Sequence, residues 1–217
     1  MEDTQMSFVG VNMYNDGLIA FCDSKATKID ALNNPVEDKN RSAKKMLFGK
    51  DYILLCFNTN QYFFNENGIE TVKNIEDYLE PKVKEYSYLE LLFLLNEEIN
   101  LNSQNYSNSY AFLICPQDPQ GRCYLSAEIT KGRVNFGKRE RKSRYCWGGT
   151  GFYHRAARDP IAEKVENGYI ELREGIRCLY EQAEKYGTYN PVGFPFHFAI
   201  QTEEVVRVET VNSCADL

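Results

Sequence analysis

Apolar runs at 7–14 and 18–27 flank Asn15-Asp16-Gly17 near the start of the chain. Asn and Gly tolerate the positive φ of a tight turn, so the pattern predicts a β-hairpin. A second hairpin is predicted from 44–48, Gly49-Lys50-Asp51 and 52–57. The stretch 58–68 is polar and aromatic and reads as a connection. Ile69, Val72, Ile75 and Leu79 then recur at helical spacing up to a stop at Pro81. Ser87-Tyr88-Leu89-Glu90 has the form of a capping box, in which the Ser hydroxyl accepts a free N–H and the Glu reaches back. It opens a helix with Tyr88, Leu91, Leu92, Leu95 and Ile99 on one face.

Strands follow at 110–115, 122–129 and 133–136, with a turn at Lys131-Gly132, and a short one at 145–147 leads into Gly148-Gly149-Thr150-Gly151. A third helix is expected from Gly151, interrupted or restarted at Asp159-Pro160. A fourth carries Ile176, Leu179, Tyr180 and Ala183 on one face and stops at Gly187. Strands at 194–200 and 205–211 close the chain. The predicted order is four strands, two helices, three or four strands, two helices and two strands. Two sheets packed face to face, with a helix pair outside each, would bury every apolar face named. The expectation is therefore an α+β fold, a four-layer αββα sandwich, in a single domain over 1–217.

Composition narrows the function. The chain has 217 residues with 43% hydrophobic, enough for a proper core. A net charge of −6 argues against a protein built to bind nucleic acid. The basic run Lys138-Arg-Glu-Arg-Lys-Ser-Arg144 then reads as a solvated loop or a subunit contact. Apolar runs are too short for a membrane span, and the acidic, polar start is unlike a signal peptide. The seven cysteines include no Cys-x-x-Cys pair and fit free thiols in a reducing cytosol. With two histidines, no metal or other cofactor is expected.

Asp23-Ser24-Lys25-Ala26-Thr27 leaves the second strand, and Lys44-Lys45 opens the third. Together with the Asp16-Gly17 turn and the Gly-rich stretch at 148–151, this order resembles a proteasome β subunit, an N-terminal-nucleophile hydrolase. The resemblance implies a Thr, Ser or Cys at the mature N-terminus, deprotonated by its own α-amine. Asp23 matches the family's Asp, Lys45 its Lys, and Thr150 its supporting Ser. Each also has a plain structural role open to it: a strand-end carboxylate, a solvated lysine and a helix N-cap.

The nucleophile departs from the pattern. Aligning Val9-Gly10 on the family's Val-Gly puts Met6 at its position, with Ser7 one residue later. Ser7 would act only if the bond after Met6 were cut, with 1–6 as a short leader; Thr4 is the other candidate. The family's carboxylate after the fourth helix is missing, and Asn58-Thr59-Asn60 lacks its oxyanion-site Gly. Two functions follow from the resemblance: a peptidase acting through Ser7, Asp23, Lys45 and Thr150, or a non-catalytic assembly or ligand-binding subunit. In either case homo-oligomers, including rings, are expected, with a peptide substrate in the first.

Overall fold

The structure is a computed structural model. It describes residues 7–14, 17–32, 34–58, 61–117, 123–139, 145–149, 169–186, 190, 192–202 and 206–217. In chain order the strands are β1 (Phe8–Met13), β2 (Gly17–Asp23), β3 (Lys25–Ile29), β4 (Pro35–Ser42), β5 (Met46–Phe48), β6 (Tyr52–Asn58), β7 (Gln61–Glu66), β8 (Ile69–Asn74), β9 (Ser109–Pro116), β10 (Tyr124–Thr130), β11 (Arg133–Arg139), β12 (Tyr145–Gly149), β13 (Phe196–Thr202) and β14 (Val206–Val211). The helices are α1 (Ile75–Lys82), α2 (Tyr88–Leu101), α3 (Ser103–Tyr106) and α4 (Tyr169–Tyr186).

The chain divides into two compact units, Met1–Ala43 with Ser143–Leu217, and Lys44–Lys142. In the first, a five-stranded sheet runs β12-β1-β2-β13-β14, and β3-β4 form a separate ribbon. All pairs in the five-stranded sheet are antiparallel. Alternate residues Phe8, Ile19, Phe21, Phe196, Phe198 and Val211 join Leu172, Ile176, Leu179 and Ala183 of α4 in one core. The four helix positions recur every three or four residues, the spacing that keeps one stripe facing a sheet.

In the second unit the sheet order is β11-β10-β9-β6-β5, with β7-β8 as a second ribbon. Leu91, Leu92, Leu95 and Ile99 of α2 and Ile75 and Leu79 of α1 bury against Leu54, Phe112, Ile114 and Ile129. Burying such a side chain is worth roughly 1.5–3 kcal/mol. The capping box at Ser87 is present: Glu90 N–H donates to Ser87 Oγ, and Ser87 N–H to Glu90 Oε2 at 2.9 Å. A partly buried polar cluster ties the ribbon to the helices. Tyr62 Oη donates to Glu98 Oε2 at 2.7 Å and Tyr78 Oη to Oε1 at 2.8 Å. Lys82 Nζ lies 4.7 Å over the Tyr78 ring. Burial first, then the Glu98 carboxylate, push both tyrosine hydroxyls well above their usual pKa.

The architecture corrects the expected four-layer αββα sandwich. Among the described residues fourteen strands stand against four α-helices, in several antiparallel sheets rather than two sheets with a helix pair each. Two stretches account for much of the difference. Residues 61–74, read as part of a connection and a helix start, are the β7-β8 ribbon. Its turn, Asn67-Gly68, has φ of 54° and 80°, as a two-residue hairpin turn requires. Ile69 and Val72 are strand residues, 70% and 51% exposed, so their helical spacing to Ile75 and Leu79 is coincidental. β3 and β4 pair as a ribbon too, with an irregular register between Lys25 and Thr27. Pro81 lies inside α1, in its last turn, instead of stopping it. The expected third helix at 151 onward lies outside the described residues.

Candidate functional site

The end of β2 is the polar centre of the first unit. Asp23 is wholly buried there, on a strand paired to both β1 and β13. Its Oδ1 accepts the N–H of Phe8 at 2.8 Å. Its Oδ2 accepts Lys25 N–H at 3.2 Å and Gly193 N–H at 3.3 Å. One carboxylate thus gathers the head of β1, the bend after β2 and the segment before β13. A carboxylate satisfied by several backbone donors is a strong, directional anchor.

The neighbouring bonds extend this anchor. Ser24 N–H donates to Gly193 O at 3.2 Å, and Ala43 N–H to Ser24 O at 2.8 Å. Lys25 Nζ donates to Asn190 O at 2.6 Å. Asn190 Oδ1 accepts Val192 N–H at 3.1 Å, which shapes the turn into β13. A Cβ at Gly193 would stand 2.9 Å from Lys25 Cδ, so a side chain there would make the Lys25 side chain shift. Ser24 Oγ is buried with no hydrogen-bond partner among the described residues.

Ser7 sits one residue ahead of the clamped Phe8 N–H, half-buried at the head of β1. The end of β12 runs beside it, with Phe8 opposite Gly149 and Val9 opposite Gly148. The structure therefore brings Ser7, Asp23 and the Gly148-Gly149 pair to one end of one sheet. Lys45 belongs to the other unit, at the head of β5. It is 5% exposed, and its carbonyl accepts Cys56 N–H at 2.9 Å. Its neighbour Lys44 faces outward and pairs with Glu80 on the surface. The Lys-Lys pair thus splits into one buried and one exposed cation, and Lys45 is not a solvated lysine. Thr150, Thr4, Met6, Thr59 and Asn60 lie outside the described residues, and most of the basic run 138–144 does too.

Sequence reasoning missed Lys25, Asn190 and Ser24. Lys25 bonds Asn190 across 165 residues and Ser24 bonds Gly193, and no local pattern marks such pairs. Among the described residues no group of His, Cys, Asp and Glu could hold a metal ion. No described helix is long and apolar enough to cross a membrane.

No protein-family model and no curated protein matches the sequence. Solved structures do match in fold. Anbu, described as an ancestral beta-subunit, from Yersinia bercovieri is 14% identical with a TM-score of 0.55, covering 95% of this chain and 88% of that one. Anbu from Hyphomicrobium sp. strain MC1 is 12% identical with a TM-score of 0.53, over 95% and 88%. A helical assembly of the Anbu complex from Pseudomonas aeruginosa is 11% identical with a TM-score of 0.56, over 95% and 87%. The likeness is one of fold alone. It corrects the expected placing of this chain among proteasome β subunits and N-terminal-nucleophile hydrolases. The structures it resembles are those of Anbu, which is proteasome-like but a distinct family.

Proposed function

We propose that this chain is an amide-bond hydrolase whose nucleophile is Ser7, released as an N-terminal residue by cleavage of the Met6–Ser7 bond. One observation carries the reading: the buried Asp23 clamps the peptide N–H that directly follows Ser7. That bond fixes the direction of the chain at Ser7, as a nucleophile needs before it can attack a carbonyl in one geometry. The freed α-amine, with an ordinary pKa of about 7.7–8.0, would take the Oγ proton as attack proceeds. It would then protonate the departing amine, leaving an ester on Ser7 Oγ that water hydrolyses. Asp23 is the positioning residue. By the resemblance alone, Lys45 is assigned the cation that keeps the amine neutral. Thr150 is assigned a supporting hydroxyl.

A second reading is a non-catalytic subunit. The stretch 187–192 supports it: the resemblance calls for a carboxylate there and the sequence has none, while the Asn190 side-chain oxygen accepts the Val192 N–H. Both readings include self-association, supported by the helical assembly named for the Pseudomonas aeruginosa structure.

Intact mass spectrometry of the untagged protein, followed by peptidase assays, separates the two. The hydrolase reading expects a chain beginning at Ser7 and activity lost in Ser7→Ala and Lys45→Ala. A chain that keeps residues 1–6 and has no activity overturns it in favour of the second.

A further inference from the structure

Strand β14 is an edge of the first unit's sheet: among the described residues only β13 pairs with it. Sheet edges are normally blunted by proline, a bulge or charged side chains, and of these β14 carries only the charges Arg207 and Glu209. Val206-Arg-Val-Glu-Thr-Val211 has no proline, and its register with β13 is unbroken. Val208, at its middle, is 49% exposed.

The charges on this edge are self-complementary. Arg207 and Glu209 share the face toward α4, where Arg207 Nη2 lies 2.6 Å from Glu209 Oε1. Glu209 also accepts the Tyr169 hydroxyl, and Arg173 Nη1 stands 4.0 Å from it. Two copies of an edge strand paired antiparallel are related by a two-fold axis, so each contact occurs twice. Opposed residues must share a face of the pleat, so the axis falls on a residue. An axis on Arg207 opposes two arginines, and an axis on Glu209 opposes two glutamates. An axis on Val208 opposes Arg207 to Glu209 twice, Val208 to its own copy and Val206 to Thr210 twice. Shifts beyond these shorten the overlap and lose the charge pairs. One register therefore combines the most pairing with the best charge match.

We propose that β14 is a two-fold interface between copies of this chain, with Val208 on the axis and reciprocal Arg207–Glu209 pairs. The proposal rests on the self-association reading above and specifies its surface. It joins two five-stranded sheets into one of ten strands.

The test is sedimentation velocity of the purified full chain over a concentration series. Arg207→Glu is expected to weaken association about tenfold, since two attractive cross-strand pairs become repulsive. Val208→Lys, which opposes two cations on the axis, should do at least as much while leaving the fold's circular dichroism intact. An equimolar mixture of Arg207→Glu and Glu209→Arg chains should recover wild-type association, because the opposed charges then match again. Glu209→Arg also loses the Tyr169 bond, so if that variant fails to fold, the other two decide. A wild-type oligomer whose association constant is unmoved by Arg207→Glu and Val208→Lys overturns this interface and leaves self-association standing. A wild-type chain that is monomeric throughout overturns both.

Discussion

Each unit holds a carboxylate with several hydrogen-bond donors, Asp23 wholly buried and Glu98 partly exposed, and the two are used in opposite ways. Asp23 takes all three of its described donors from the backbone: Phe8, Lys25 and Gly193. Glu98 takes its donors from side chains, the hydroxyls of Tyr62 and Tyr78, with Lys82 4.0 Å away. A bond to a backbone N–H holds the path of the chain and cannot be removed by changing the donor. A bond to a hydroxyl holds one side chain and can be deleted at either end. The first unit therefore locks where its strands begin, which suits a site at the head of β1. The second locks how a ribbon leans on its helices.

This contrast sets the order of expected losses. Asp23→Ala strands three buried or part-buried N–H groups, each costing about 1–3 kcal/mol. The expected total is about 3–5 kcal/mol in a denaturant titration, with Asp23→Asn recovering part of it through its remaining oxygen. A loss under about 1 kcal/mol would break the comparison. Glu98→Ala leaves two tyrosine hydroxyls without their acceptor and is expected to cost about 2 kcal/mol. Tyr62→Phe removes one bond of the cluster while Tyr78 still satisfies Glu98, so about 1 kcal/mol is expected. Equal losses for these last two would mean that Tyr78 contributes nothing.

A smaller effect is tied to pH. His197 is half-buried on β13 beside Thr210, and burial lowers its pKa from 6.5. The unfolded chain then binds a proton that the folded one resists. Its contribution is full above the unfolded value and falls away as pH drops below about 6.5. Thermal melts from pH 7.5 down to about 5.5 should show a shallower decline in His197→Gln than in the wild type. A parallel decline in both would assign the acid sensitivity elsewhere. Smallest of all, Lys44→Ala breaks an exposed ion pair with Glu80 and should cost under about 0.5 kcal/mol in the same titration.

Local signals were readable where one segment contains its own instructions. The capping box at Ser87, the α2 stripe from Leu91 to Ile99 and the Lys131-Gly132 turn are of this kind. So is the α4 stripe through Ile176, Leu179 and Ala183. The Asn67-Gly68 turn was equally local. It was obscured because Ile69, Val72, Ile75 and Leu79 happen to fit a helix across a strand–helix junction. Asp23 was legible as a strand-end carboxylate, since a buried sheet that closes on an acid needs donors for it. Its donors were not legible, because Gly193 is 170 residues away and contributes only an N–H, which every residue but proline has.

The sequence by itself determined where α2 is capped, where Lys131-Gly132 turns and which stripes of α2 and α4 are apolar, because those depend on neighbours within a few residues. It also placed a serine, an aspartate and two lysines at strand ends. Tertiary structure alone decided that Asp23 holds the residue after Ser7, and that Lys45 is buried while Lys44 is not. It also decided that β3 pairs with β4, and that residues 61–74 form a ribbon instead of a connection and a helix start. The physical reason is the same in each case. Burial and strand pairing depend on partners far along the chain, and the same residues pair, bury or face water according to which partners the fold supplies.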